Sequence, residues 1–301
     1  MIRGAALACA LLFAPLLIGT INQTKAFFAG RRGPPLLQPY FDLWKLLRKG
    51  AVYSRTTTWV FRAGPIVGLA ATIGAAALVP LGGLPAALAF EGDLLVAAGL
   101  LALARFFTVI AALDTGSAFE GMGASREVQF SALAEPALFL AFAALARATG
   151  ALSLTEIYGR ISVAAWMQSG PSFALVAAAL GVVFLTENAR IPVDDPNTHL
   201  ELTMIHEVMV LDHGGPDFGF VQYGAALKMW VLGSLLVGIL IPVRSGRWWL
   251  DGAAALEGMF WVAVGVGIVE SVMARLRLLR VPQMLVGAGA LCVLAIVLGM
   301  K

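Results

Sequence analysis

The sequence predicts an all-α, polytopic membrane bundle of about eight transmembrane helices, with both termini on the outer, periplasmic side. Three observations predict it. Hydrophobic residues make up 59% of the 301-residue chain and charged residues only 13%, against about 25% in a soluble domain. Apolar runs of 18 or more residues recur, each long enough to cross a hydrocarbon core of about 30 Å. Lysines and arginines crowd into alternate connections, and that asymmetry sets orientation.

The first span, 3–25, has Arg3 ahead of it and Lys25, Arg31, Arg32, Lys45, Arg48, Lys49, Arg55 and Arg62 behind it. That imbalance marks a retained anchor, not a cleaved leader. Residues 36–49 alternate apolar and basic groups at helical spacing, which predicts a short amphipathic helix on the cytoplasmic face. Spans follow at 59–80, 93–116, 129–149 and 171–187, and after a polar interval at 223–243, 254–275 and 282–300. A second cytoplasmic helix is predicted over 199–212, ended by Gly214, Gly215 and Pro216. With these odd-numbered connections cytoplasmic, 14 of the 21 basic residues lie on that side. The net charge of +3 therefore reports topology, and no nucleic-acid partner is implied. The chain reads as one integral membrane domain, 1–301, with loops 26–58 and 188–222 as its cytoplasmic surface.

Titratable groups mark where function should be sought. Seven acids (Glu187, Asp194, Asp195, Glu201, Glu207, Asp212 and Asp217) and all three histidines fall between residues 187 and 217. Inside the spans stand Arg105, Glu135, Lys228 and Glu270, with Asp114 and Glu187 nearer the cytoplasmic edge. A charge at a helix centre costs about 2.5–3.5 kcal/mol, so such groups face protein or a water cavity and by default mark a functional path. Counted from the expected span ends at 1.5 Å per residue, Glu135, Lys228 and Glu270 share a depth of about 8 Å. One polar layer, a proton or ion half-channel entered from the cytoplasm, is the functional expectation. Structural ion pairs locking helices together are the alternative.

Other motifs carry less. His199, His206 and His213 recur every seven residues, but about 10 Å of helix separates neighbours, too far for one metal ion. Polar contacts on a partner-facing helix are the expectation for them, and no metal site is expected. Cys9 and Cys292 lie in apolar spans at opposite ends of the chain and read as small buried hydrophobes. Two thiols cannot hold an iron–sulfur cluster, so no redox centre is expected in this chain. Gly121-Met122-Gly123 and Gly265-Val266-Gly267 lack the third glycine of a dinucleotide site.

Two loop segments resemble a known family. Residues Arg31-Arg32-Gly33-Pro34-Pro35-Leu36-Leu37-Gln38-Pro39-Tyr40-Phe41-Asp42-Leu43-Trp44-Lys45-Leu46 look like the first cytoplasmic loop of the respiratory complex I subunit 1 family. Glu187-Asn188-Ala189-Arg190-Ile191-Pro192-Val193-Asp194 resembles that family's loop after the fifth span, and Glu135 matches its fourth-span glutamate. Within the family the hydrogenase branch fits better. Gly33-Pro34-Pro35 stands where quinone enzymes usually carry Gly-Pro-Asn, and Asn197 and His199 replace acids ahead of Glu201. His206-Glu207-Val208-Met209-Val210-Leu211-Asp212 and the segment ending Met122-Gly123-Ala124-Ser125-Arg126-Glu127 are similar to the membrane subunits of formate hydrogenlyase and hydrogenase-4.

The resemblance implies a non-catalytic membrane subunit in the cytoplasmic membrane, anchoring hydrogenase large and small subunits and iron–sulfur subunits beside antiporter-like neighbours. The nickel–iron site and iron–sulfur clusters would lie in those partners. It implies a proton path through Asp114, Glu135, Glu187, Asp194, Glu201, Glu207, Lys228 and Glu270, with Arg105 and Arg190 as charge partners. The soluble arm would dock at Arg31, Arg32, Gln38, Asp42 and Lys45. A quinone-chamber subunit of an NADH:quinone oxidoreductase and a stand-alone ion transporter stay open as alternatives.

Overall fold

The structure, a computed structural model, describes residues 2–194 and 205–299. Eight of its helices are long and apolar enough to cross a membrane. They are α1 (Ala5–Phe28), α3 (Trp59–Leu78), α4 (Asp93–Asp114), α5 (Ala118–Thr149), α7 (Val163–Glu187), α9 (Gly215–Leu240), α10 (Trp248–Val272) and α11 (Val281–Leu298, led in by the 3₁₀ turn Leu278–Arg280). Short helices α2 (Gln38–Leu47), α6 (Leu154–Arg160) and α8 (His206–Met209) lie in the connections. Among the described residues there is no strand, only an isolated bridge between Leu81 and Leu84.

Helix α9 is the centre of the bundle. Of its most apolar stretch 78% is buried, against 50% or less for every other span. It packs on α1, α2, α3, α7 and α10, and its Trp230, Leu227, Val231 and Leu235 are buried in one apolar core with Ile21, Phe142, Phe173 and Met259. Helices α5, α7 and α11 form a group on one flank, and α3 pairs with α4 on another.

Four helices start earlier than the apolar runs predicted. α5 begins at 118 instead of 129, α7 at 163 instead of 171, α9 at 215 instead of 223 and α10 at 248 instead of 254. The added turns carry Glu120, Arg126 and Glu127 in α5, Gln168 and Ser169 in α7, and Asp217 and Gln222 in α9. Polar side chains lower the local hydropathy without breaking the hydrogen-bond ladder, so a transfer-scale count stops short. Counted from the observed helix ends, the three positions are no longer equivalent. Glu135 stands seventeen residues into α5 and Lys228 thirteen into α9, whereas Glu270 is two residues from the end of α10.

The amphipathic helix forms, as α2 over Gln38–Leu47, with Pro39 in its first turn. Phe41, Trp44 and Leu47 are exposed on it, and the Arg48 guanidinium lies 4.4 Å over the Trp44 ring. Its approach to α1 requires Gly19, since a Cβ there would strike the Leu36 carbonyl oxygen. The second predicted helix, 199–212, is one short turn, His206–Met209, in its described part, while 199–204 lie outside the described residues. Tertiary packing overrides helical propensity here. Met209 and Val210 are buried against Val109, Ala112 and Ala124 of α4 and α5, and Gly123 lets that turn close on α5.

Candidate functional site

A group of charged side chains lies buried where α4, α5, α7 and α9 meet. Arg105 of α4 is its hub, with a side chain 8% exposed. Its Nη2 donates to both oxygens of Glu187, the last residue of α7, at 2.8 and 2.7 Å. Nη1 donates to Glu135 of α5, and Nε lies 3.5 Å from Glu127, two turns earlier on the same helix. Lys228 of α9 approaches Glu187 at 3.9 Å. Fully ionised, three carboxylates face two cations, leaving one negative charge in excess.

A second cluster sits beside it. Glu270 of α10, its side chain wholly buried, meets Lys25 of α1 at 2.7 Å and Arg190 at 3.2 Å. The local chain explains how Glu187 and Arg190, three residues apart, serve different clusters. Asn188 ends α7, Ala189 adopts φ 47°, and Ala189 N–H and Arg190 N–H return to the carbonyls of Thr186 and Leu185 at 3.0 and 2.9 Å. This is a left-handed helix stop of the Schellman type, with alanine where glycine is usual. It turns the chain sharply enough to send Arg190 toward α10.

Asp194 pairs with Arg275 at 2.8 Å and accepts the Ile205 N–H at 2.9 Å, so it joins the two edges of the 195–204 segment. Glu201, with His199 and Asp195, lies outside the described residues.

Three hollows with shared lining residues border these groups. The largest, about 290 Å³, lies between α1, α2, α9 and the loop after α7, and is lined by Gln38, Asp42, Arg190, Asp194, His206 and Glu207 among others. A hollow of about 60 Å³ reaches Arg105, Glu127 and Lys228, and one of about 40 Å³ reaches Glu187, Arg190 and Lys228. His206 lines all three. Burial, reinforced by Lys228 and Arg190, pushes its pKa from 6.5 down to about 4, so its imidazole is neutral at pH 7.

This corrects the expectation for the described histidines. His206 is an interior junction, and His213 is buried against Phe61 with ring centroids 4.0 Å apart, so neither is presented to a partner from an exposed helix face. Asp114 stays apart from the cluster. Its carboxylate accepts the Thr58 N–H at 2.6 Å, the Thr58 hydroxyl at 2.9 Å and the Phe61 N–H at 3.3 Å, capping the start of α3. Gln38 and Asp42 are joined at 2.8 Å and both line the large hollow, whereas Arg31, Arg32 and Lys45 are exposed and do not.

Sequence reasoning missed Glu127, Lys25 and the position of His206. Glu127 fell outside the predicted span, and its eight-residue spacing from Glu135, two turns along one helix stripe, was the available signal. Lys25 was counted for topology alone.

Eight spanning helices around an acid-rich charge cluster beneath one polar loop define a polytopic membrane protein with ionised groups in its interior. The profile of a family described as NADH dehydrogenase matches residues 2–300, and the chain belongs to that family, the complex I subunit 1 family its loop motifs resembled. Formate hydrogenlyase subunit 4 of Escherichia coli is 33% identical over 276 residues, covering 90% of this chain and 89% of the relative. Hydrogenase-4 component C of the same organism is 33% identical, over 77% of this chain and 72% of its own length. The corresponding membrane subunit of the NADH-quinone oxidoreductase of Anaplasma phagocytophilum is more distant, at 25% over 76% of this chain and 70% of that one. A chain in the structure of the membrane-bound sulfane sulfur reductase, an archaeal respiratory membrane complex, shares the fold. The TM-score is 0.83 at 22% identity, covering 99% of this chain and 98% of the other.

Proposed function

We propose that the chain is the non-catalytic membrane subunit of a membrane-bound [NiFe] hydrogenase complex of the formate hydrogenlyase and hydrogenase-4 type. It anchors the soluble arm on loops 26–58 and 188–222, which face the cytoplasm, and both termini lie on the outer side of the cytoplasmic membrane. Nickel and iron–sulfur groups belong to the partner subunits. The 33% identity to both Escherichia coli hydrogenase-related subunits supports this branch.

Within the complex the chain relays protons. One observation carries this reading: the set formed by Arg105, Glu127, Glu187 and Lys228 with the half-buried Glu135 has more acids than bases and adjoins the loop-side hollow through His206. Asp194 and Glu207 border the entrance, and Glu201 belongs to the same polar loop. A neutral imidazole offers one donor and one acceptor, so His206 passes a proton without holding a charge between Lys228 and Arg190. The Glu187 carboxylate receives it, the Lys228 ammonium steadies that carboxylate, and Arg105 holds Glu127 and Glu135 in reach. Glu270, with Lys25 and Arg190, fixes the loop electrostatically. A redox event in the docked arm that changes charge near the hollow acts across this low-dielectric layer.

The test is purification of the tagged chain in mild detergent from native membranes. Co-purifying nickel with hydrogen evolution from reduced viologen is expected. Glu135→Gln should then leave hydrogen evolution intact and lower the accompanying proton movement, and full coupling in an assembled variant would remove the relay. The large hollow, bordered by α1 and α2, favours a second reading as a quinone chamber. Co-purifying flavin with NADH:quinone activity would select it.

A further inference from the structure

Among the described residues, charged side chains of the spanning helices are either buried or partly buried, or lie within about a turn of a helix end, with one exception. Glu257 of α10 is exposed on the outside of the bundle, nine residues after Trp248 and fifteen before Val272. At 1.5 Å per residue that is about 13 Å from one end of the helix and about 22 Å from the other, inside the hydrocarbon layer. The carboxylate's one contact within the chain is weak, an N–H from exposed Trp261 at 3.3 Å. Lipid tails offer a carboxylate no hydrogen bond and no counter-charge, so an intramembrane acid normally faces protein or water.

The surrounding stripe fits a helix neighbour. The opposite face of α10 is packed on α1 and α9 through Ala255, Met259, Ala263 and Val266. The outward face carries Leu250, Glu257, Trp261, Gly265, Ile268 and Val272, and a side chain added at Gly265 would meet open space. A small residue beside a large ring provides the close approach that interhelical packing in membranes uses. The outward face bears an acid and no base, so charge complementarity selects the partner.

We infer that the Glu257 face of α10 is an interface for a transmembrane helix of another polypeptide, one that presents a lysine or arginine to Glu257 at matching depth. The inference is independent of which soluble enzyme the complex carries, and it holds or fails separately from the nickel and flavin measurements.

The experiment places a photoreactive benzoylphenylalanine at Leu250 or at Ile268, which flank the unaltered Glu257, in native membranes containing the full complex. The expected product is a discrete adduct whose partner peptide, identified by mass spectrometry, is a transmembrane segment carrying Lys or Arg. Glu257→Gln added to the Ile268 probe should lower the adduct yield about threefold or more, the loss expected for one interhelical polar contact, with the chain's abundance unchanged. No polypeptide adduct from either site, an adduct with a second copy of this chain, or a partner segment without a basic residue would each overturn the inference. An unchanged yield in Glu257→Gln would do the same.

Discussion

Replacing Arg105 by glutamine removes the guanidinium that three carboxyls share, and the geometry ranks what each stands to lose. The Arg105 and Glu187 side chains are 8% and 6% exposed and joined by two short contacts. Removing one partner of such a buried pair costs about 3–5 kcal/mol, because the other charge is left without compensation. Lys228 at 3.9 Å offsets part of this, which places the loss at about 3 kcal/mol. Glu135 is different. Its side chain is 37% exposed, and screening leaves its pair with Arg105 worth about 0–1 kcal/mol. The assay is a pair of double-mutant cycles on the detergent-extracted complex, with Arg105→Gln combined separately with Glu187→Gln and Glu135→Gln. The assembled fraction is followed across a denaturant series. An Arg105–Glu187 coupling within about 0.5 kcal/mol of zero, the limit of additivity for independent sites, would refute the reasoning. So would a larger coupling to Glu135 than to Glu187. The same ranking makes Glu135→Gln a clean probe of proton coupling, since it disturbs the fold least.

Asp114→Asn should cost about 1 kcal/mol of stability through the weakened α3 cap and leave proton coupling unchanged, read by thermal inactivation beside a proton-uptake assay. Lowering the pH should destabilise the chain through His206. Its folded pKa of about 4 lies below the ordinary 6.5, so between these values the unfolded chain binds a proton that the folded chain refuses. Stability is full above pH 6.5 and falls toward pH 4 by up to about 3 kcal/mol. His206→Gln should flatten that segment of a stability–pH curve, and an unaltered curve would contradict the assignment. Gly123→Ala puts a Cβ against Val208 and 2.8 Å from the Ile205 carbonyl oxygen, and should lift α8 from α5 at a cost of about 1–3 kcal/mol, seen as faster proteolysis of the 205–213 loop. Ala189→Gly should relieve the left-handed φ of 47° and raise thermal stability by about 1 kcal/mol, where an uncapped stop would instead lose stability.

The spans and the amphipathic α2 were legible because hydropathy and helical spacing are local. The polar first turns of α5, α7 and α9 were not, since backbone hydrogen bonding continues where transfer free energy has already turned unfavourable. Arg105, Glu135, Glu187 and Lys228 could be flagged one by one from the cost of burying charge, but their meeting depends on how α4, α5, α7 and α9 cross. Depth counted from an apolar edge says nothing about azimuth, so it could not show that Glu270 pairs with Lys25 and Arg190 and not with the Arg105 group. His206 is the sharpest case. A seven-residue histidine spacing suggests one helix face, whereas a single turn seated over Gly123 puts that ring among three hollows.

The ion pairs also impose an order of manufacture. A chain made from its N-terminus brings α9 to the membrane after α7, so Lys228 arrives with Glu187 already in place. Glu270 arrives to find Lys25 and Arg190, and Arg275 to find Asp194. Arg105 must wait for acids made after it, and the nearest, Glu127 and Glu135, follow in the very next span, so α4 and α5 can enter as one neutralised hairpin. Moving α10 and α11 to the front of the chain by circular permutation would leave every contact in the finished bundle available. It would nonetheless require Glu270 to enter lipid with no cation waiting, and such a permutant should stall at insertion, not at folding.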